Sequence, residues 1–454
     1  MRRRRHGQVP ASQRLSRAAK PASYVALGLA GLISVGTLLL SLPAARSGPD
    51  SSPFINSFFT AVSASTVTGL SSVDTATYWS GFGEVVILLL VQAGGFGIST
   101  GAALVTILVF RQLGLRARLY TSTATGNIDL GDVRKVVRGV AVISLSVEAM
   151  IALMLTARWW LGYDEPFGTA LWYGVFHAVT SFNNAGFTLF SDSLIGYAAD
   201  PLILVPISAA IILGSIGVPV LFEVFRRHRQ RFSLHARVTI WVSALLTAYG
   251  MVALIVMEWT NPATLGDETT PVKLLTAWFQ GVSSRTAGFN SVDYAGMQPE
   301  SLLVTDTLMF VGGGSVSTAG GIRVTTLAVL FLILLAQARG DRDTIVGGRR
   351  LGQAVVQQAL VVTVVFAMLA VAGTVGILML SDTDLDHGLF EVISAVATTG
   401  LSTGITGGLD GPAQVLLTVL MFMGRVGPLT LATAVALRQR DARYRYPEGR
   451  VLIG

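Results

Sequence analysis

Four short stretches of this 454-residue chain carry residue types that could do chemistry on a small ion. They read FFTAVSASTVTGLSS (Phe58–Ser72), VFHAVTSFNNAGFTL (Val175–Leu189), AWFQGVSSRTAGFNS (Ala277–Ser291) and LFEVISAVATTGLST (Leu389–Thr403). Aligned on Gly69, Gly186, Gly288 and Gly400, each has an aromatic residue ten positions earlier: Phe59, Phe176, Trp278 and Phe390. An apolar residue follows each glycine (Leu70, Phe187, Phe289, Leu401), and then a small polar one (Ser71, Thr188, Asn290, Ser402). Each stretch begins as a helix too short to span a bilayer and ends in a polar segment that is poor helix material. Such backbone survives at membrane depth only when it is buried in protein or lines a water-filled path. Its carbonyl oxygens can then replace the hydration shell of a cation, and the carboxyl ends of the short helices add negative potential.

A lone glycine in an apolar chain is ordinarily a packing residue. Four at aligned places point instead to an ion path. The candidate path residues are Val67, Thr68 and Gly69, then Asn184, Ala185 and Gly186, then Thr286, Ala287 and Gly288, and last Thr398, Thr399 and Gly400. The threonines could simply bond helix carbonyls, but beside the glycines they suit a filter wall. Asn183 and Asn184 are costly at membrane depth unless bonded, which suits bracing of the second segment. Arg285 is expected to turn away from the path and pin its hairpin.

Two interruptions lie downstream. The run MFVGGGSVSTAGGIRVTT (Met309–Thr326) places five glycines in one apolar element. A helix through Gly312, Gly313 and Gly314 loses roughly 1 kcal/mol per glycine against alanine. Tight helix packing through small residues is one account of the run. An unwound gating loop made of Gly312, Gly313, Gly314, Ser315, Ser317, Thr318, Gly320 and Gly321 is the other. Arg425 lies inside an apolar run, where a charge costs a few kcal/mol and ordinarily faces a cavity or a partner. It could bond helix carbonyls or act as a barrier in the path, and Pro428 could break or bend the same helix.

The elements that must position these residues follow from composition. The chain is 52% hydrophobic and 13% charged, against about 25% charge in soluble domains. It has no cysteine, which excludes disulfides and thiolate chemistry. Of its 33 basic residues, 27 fall in five clusters: Met1–Lys20, Arg111–Arg138, Arg226–Arg237, Arg339–Arg350 and Arg438–Arg450. Acidic residues dominate the segments between them. The positive-inside rule puts the clusters and both termini in the cytoplasm of a multi-pass protein of the cell membrane, and clusters beside apolar runs argue against nucleic acid.

Four units then each leave and re-enter. The expected fold is an all-α polytopic membrane protein of eight full spans, arranged as four pseudo-symmetric helix–pore loop–helix repeats around a central ion path. Outward spans are expected at Ala22–Leu42, Val133–Ala157, Ala236–Met257 and Ala354–Leu380. Return spans are expected at Glu84–Phe110, Pro201–Phe225, Leu302–Leu335 and Pro412–Leu437. The parts are a basic segment 1–21, repeats at 22–115, 116–230, 231–340 (with the loop 312–321) and 341–440, and a tail 441–454.

In this order, TVTGL, NNAGF, RTAGF and ATTGL, with the glycine-rich return span and Arg425, resemble the Trk/Ktr/HKT superfamily of potassium transporters. The likeness is nearest to the KtrB-type membrane subunit of bacterial Ktr systems. It implies a potassium filter at the four glycines, an intramembrane gating loop at Gly312–Gly321 and a gating arginine at Arg425. It also implies a homodimer using the carboxyl-terminal tail, and a cytoplasmic KtrA-type ring whose nucleotide-binding domains respond to ATP and ADP. Sodium stimulates uptake in many Ktr systems and is carried over as a candidate activator. The alternative is a broken-helix secondary transporter that couples another solute to a cation, for which two related halves are expected rather than four hairpins. No H-E-x-x-H pattern or spaced Ser/His pair supports an intramembrane enzyme, and a purely structural scaffold gives no reason for four aligned polar hairpins.

Overall fold

The computed structural model describes residues 11–48, 54–112, 133–225, 232–341, 343–346 and 349–437. The tail 441–454 and residues 1–10 of the basic segment lie outside the described residues. The described chain is helical, with one two-residue strand pair joining Ile345–Val346 to Arg349–Arg350.

The helices fall into four consecutive groups. The first holds α1 (Ala11–Leu40), α2 (Phe54–Thr66) and α3 (Gly81–Gln112). The second holds α4 (Val133–Gly162), α5 (Phe167–Phe182), α6 (Pro201–Ile216) and α7 (Val218–Phe225). The third holds α8 (Leu234–Glu258), α9 (Thr270–Ser283), α10 (Pro299–Val311) and α11 (Val324–Ala338). The fourth holds α12 (Gln353–Leu380), α13 (Leu385–Ala397) and α14 (Gly411–Leu437). In the first, second and fourth groups the short middle helix packs against the helices before and after it, and in the third it packs against the helix before it. Each helix after it also meets the short helix of the next group: α3 meets α5, α6 meets α9, α10 meets α13, and α14 meets α2. The packing therefore closes on itself.

Local signals fix the helix starts. Asp200 accepts from the Leu202 N–H and Pro201 supplies the first turn of α6, so one orphan donor is satisfied where no donor is needed next to it. Ser233 caps α8 by accepting from the Ala236 N–H. Apolar side chains on the outside, such as Trp241, Leu245 and Val256, are exposed, as befits a lipid-facing wall.

Among the described residues, four helices are long and apolar enough to cross a bilayer: Gly81–Gly101, Val137–Gly162, Leu234–Glu258 and Gln353–Leu380. A fifth is the pair α6–α7, if it counts as one span. The expected return span Pro201–Phe225 is not straight, because the chain turns by 112° between α6 and α7. Gly217, at φ +101°, makes that turn, and a Cβ there would strike the Ser315 carbonyl. The expected span Leu302–Leu335 is interrupted between α10 and α11, around the glycine run. Pro428, expected to break or bend its helix, lies inside α14 without interrupting it.

Gly217→Ala forces a side chain into the left-handed region and against a carbonyl, so it should destabilise the folded protein by about 1–3 kcal/mol. Thermal unfolding in detergent measures this, and an unchanged transition would show that the bend does not depend on glycine.

Candidate functional site

The carboxyl ends of α2, α5, α9 and α13 meet. The candidate residues that follow them are buried, apart from a half-buried Gly186. All four glycines have positive φ: +97° at Gly69, +67° at Gly186, +77° at Gly288 and +94° at Gly400. A Cβ on any of them would fall within 3.0 Å of a carbonyl of the next segment. Gly69 faces the Ala185 oxygen, Gly186 that of Ala287, Gly288 that of Thr399, and Gly400 that of Thr68. The four segments therefore form one closed cycle of backbone, with no room for a side chain at any of its glycines.

Three of the helix ends share one construction. After α2, the Val67 N–H donates to the Ala64 carbonyl and the Thr68 N–H to that of Ser63. Asn184 and Ala185 repeat this on Ser181 and Thr180, and Thr398 and Thr399 on Ala395 and Ser394. This is the Schellman pattern, which satisfies orphan carbonyls by placing one residue in the left-handed region. That residue is not glycine here: Val67 has φ +57°, Asn184 +58° and Thr398 +50°. The conformation costs a non-glycine residue roughly 1–2 kcal/mol. Serine hydroxyls hold two of these ends further, with Ser63 Oγ accepting from the Gly69 N–H and Ser394 Oγ from the Gly400 N–H, both at 3.0 Å.

The third segment differs. Its Thr286 and Ala287 N–H groups both donate to Ser283, and Thr286 is not left-handed. Ser283 Oγ accepts from the Phe289 N–H at 3.0 Å and donates to the Phe289 carbonyl at 2.7 Å. The aromatic side chain buried like Phe59, Phe176 and Phe390 is Phe279, one residue after the expected Trp278, which is only half-buried. This segment is thus one residue shorter between its aromatic anchor and its glycine. Arg285 is buried, and its Nε and Nη1 have no hydrogen-bond partner.

The glycine run packs under this cycle. Gly321 N–H donates to the Ala397 carbonyl at the end of α13, and Thr318 Oγ1 lies 3.3 Å from the Phe182 carbonyl at the end of α5. On the other side, Gly314 N–H donates to the Ser215 carbonyl, and Val218 N–H donates to the Val316 carbonyl. Ser317 Oγ donates to the Gly314 carbonyl, and Ser315 pairs with Thr325 at 2.7 Å. Gly312 (φ +75°) and Gly321 (φ +72°) open and close the run, and a Cβ on Gly320 would strike the Ala397 carbonyl. Arg425 reaches from α14 into the loop. It donates to the Ala319 carbonyl at 3.0 Å, to the Thr318 carbonyl, and to Thr398 Oγ1 at 3.1 Å. Arg323 folds back to the Gly314 and Ala319 carbonyls and to Ser317 Oγ.

The threonines beside the glycines divide. Thr68 pairs with Thr66 at 2.7 Å, Thr286 donates to Asn184 Oδ1 at 3.1 Å, and Thr398 accepts from Arg425. Thr399 Oγ1 is buried without a hydrogen-bond partner. Asn183 donates to Gln92 Oε1 at 2.8 Å and to Glu148 Oε1 at 3.3 Å, while Gln92 donates to both Glu148 oxygens. Sequence reasoning missed Gln92, Glu148 and Glu391. Glu391 accepts from Ser402 Oγ, the Thr403 N–H and Thr406 Oγ1, and so ties down the chain leaving the fourth segment. An ionisable residue within an apolar run was the available signal for both acids. No group of three or more His, Cys, Asp or Glu able to hold a metal occurs among the described residues.

The family profile described as TrkH, cation transport protein, matches residues 33–445. The chain belongs to this family of cation transport proteins. The family consists of ion transporters, not enzymes, and the chain is a multi-pass membrane protein. It is 36% identical over 435 residues to "Ktr system potassium uptake protein B" of Bacillus subtilis (strain 168), covering 96% of this chain and 97% of that protein. It is 34% identical to the protein of the same name from Vibrio alginolyticus, covering 95% and 94%. "Potassium/sodium uptake protein NtpJ" of Enterococcus hirae is 32% identical, covering 97% and 99%. The crystal structure of the potassium transporter TrkH from Vibrio parahaemolyticus matches the fold with a TM-score of 0.69 at 21% identity, covering 95% of this chain and 86% of that one.

Hydrogen bonds to a charged group contribute about 1.5–3 kcal/mol each, so losing the Arg425 guanidinium should loosen the loop. In Arg425→Ala, amide hydrogen exchange across residues 312–321 should speed up by roughly tenfold or more. Equal exchange in the two proteins would mean that Arg425 does not hold the loop.

Proposed function

We propose that this chain takes up potassium across the cell membrane through a gated path running through the four-glycine cycle. The observation that carries the proposal is the closure of that cycle. Four buried segments, each with a glycine that no other residue can replace, set the Thr68, Ala185, Ala287 and Thr399 carbonyls each against the glycine of the neighbouring segment. Carbonyl rings of this kind replace water around a desolvated cation. Val67, Thr68 and Gly69, with Asn184 to Gly186, Thr286 to Gly288 and Thr398 to Gly400, form the filter in this proposal. A cycle of four, rather than two related halves, favours such a pore over a broken-helix coupled transporter. The names of the relatives, three of them Ktr or potassium/sodium uptake proteins, support potassium as the cargo.

The rest of the assignment follows from the same reading. Eight spans in four pseudo-symmetric repeats carry the filter, with both termini in the cytoplasm, a placement that the positions of the basic clusters support. The loop 312–321 is the gate and Arg425 its anchor. The contacts of the loop with the ends of α5 and α13 support that role, since a segment seated there obstructs the path. The chain works as a homodimer with a KtrA-type ring of nucleotide-binding regulatory domains that reads ATP and ADP. Sodium is assigned as an activator rather than a second cargo.

In proteoliposomes, potassium and rubidium should pass well ahead of sodium and lithium. Gly69→Ser places a side chain against the Ala185 carbonyl in a left-handed backbone, so the potassium preference over sodium should fall by about tenfold or more, as a cost of 1.4 kcal/mol implies. Unchanged relative permeability in the folded variant would remove Gly69 from the filter.

Deleting Gly313–Thr318 should raise potassium flux and reduce its dependence on the regulatory ring, with Arg425→Ala raising flux by a smaller factor. Flux assays with protein amount and orientation matched decide the matter. Wild-type flux with undiminished regulation in the deletion variant would rule out the loop as the gate.

A further inference from the structure

We propose that Asn184 and Thr318 form a latch that couples ion occupancy of the four-segment cycle to the position of the loop 312–321. The inference rests on the reading of the cycle as a potassium filter and adds a regulatory input to it: the cargo itself. Asn184 is fully buried, two residues before Gly186, and left-handed at φ +58°. Its side-chain amide joins three parts of the molecule. Nδ2 donates to Thr318 Oγ1 at 2.8 Å, on the loop, and Oδ1 accepts from Thr286 Oγ1 at 3.1 Å, in the third segment. The Thr318 hydroxyl in turn donates to the Gly214 carbonyl at 3.0 Å. Across the loop, the Thr318 and Ala319 carbonyls are held by Arg425, which also donates to Thr398 Oγ1. Two of the three left-handed non-glycine residues of the cycle thus connect to Thr318, Asn184 directly and Thr398 through Arg425.

The coupling follows from electrostatics and strain. Carbonyls crowded together repel one another unless a cation sits between them. The Ala185 carbonyl is one of these, and it follows directly on Asn184 in the chain. Asparagine tolerates the left-handed region, and here that geometry is fixed by the Asn184 N–H on the Ser181 carbonyl and by the side-chain bonds to Thr318 and Thr286. With the cation gone, relaxation of the Ala185 carbonyl changes the backbone of Asn184 and swings its amide off Thr318. A loaded filter therefore holds the loop, and an emptied one releases it.

The chain has no cysteine, so Val316→Cys gives a single thiol on the loop at a half-buried position. The rate of its modification by a small water-soluble maleimide is measured in potassium and in N-methylglucamine at equal ionic strength. Potassium should slow modification by roughly tenfold, the effect of about one hydrogen bond. Adding Thr318→Val, which keeps the shape and removes the hydroxyl, should abolish the potassium effect, and Thr318→Ser should retain it. Thr318→Ala serves if the valine variant does not fold. Potassium protection undiminished in Thr318→Val or Thr318→Ala overturns the latch. So does a Val316→Cys protein that takes up potassium in liposomes but shows no protection. Folded protein lacking Gly313–Thr318 that still takes up no potassium in liposomes overturns the filter reading as well.

Discussion

Four helices end in the protein interior with carbonyls that no further turn can satisfy, and most of the structure supplies their partners. The last four carbonyls of any helix lack intrahelical donors, and hydrocarbon offers none. The chain answers by reversing its backbone at once, so that the N–H groups of Thr68, Ala185 and Thr399 return to Ser63, Thr180 and Ser394. That reversal requires left-handed residues, and it delivers the following glycines into mutual contact. The loop under the cycle completes the arrangement, with the Gly321 N–H on the Ala397 carbonyl. The feature that suits a cation path is thus also the solution to a hydrogen-bonding problem.

Buried acids make the arrangement rigid. Glu391 collects three donors from the chain leaving the fourth segment. Glu258 accepts from Asn261, Thr264, the Gln298 N–H and Ser301, and so joins the end of α8 to the start of α10. Glu148 does the equivalent behind α5 through Gln92 and Asn183. A carboxyl group removed from water is costly unless bonded, so each of these clusters has a steep energetic preference for a single geometry.

The third unit departs from this regularity in two ways, and they lie on one stretch of chain. Its segment is a residue shorter and is clamped by Ser283 instead of by a left-handed turn. The helix after it is interrupted between Val311 and Val324. An uninterrupted helix carries its own hydrogen bonds, whereas the loop borrows them from Ser215, Ala397, Arg425 and Arg323. Contacts lent by other elements can be withdrawn without unfolding the lender.

Composition, charge position and the fourfold motif together determined that this is a multi-pass helical protein built around four hairpins, because hydropathy and helix periodicity act over neighbouring residues. The glycine run read as a break for the same local reason. Sequence spacing did not reveal the 112° bend at Gly217, where the Ser315 carbonyl, almost a hundred residues away, leaves no room for a side chain. Nor did it reveal that Phe279 rather than Trp278 takes the buried place, because which face of a helix is buried is settled by packing against other elements. Glu148 and Glu391 stood in the sequence as isolated acids, and only packing supplied Gln92, Asn183, Ser402 and Thr406 as donors. Arg425 was legible as a buried charge, but its acceptors were not. They are backbone carbonyls of a distant loop, and a carbonyl becomes a partner only where the fold leaves it without one.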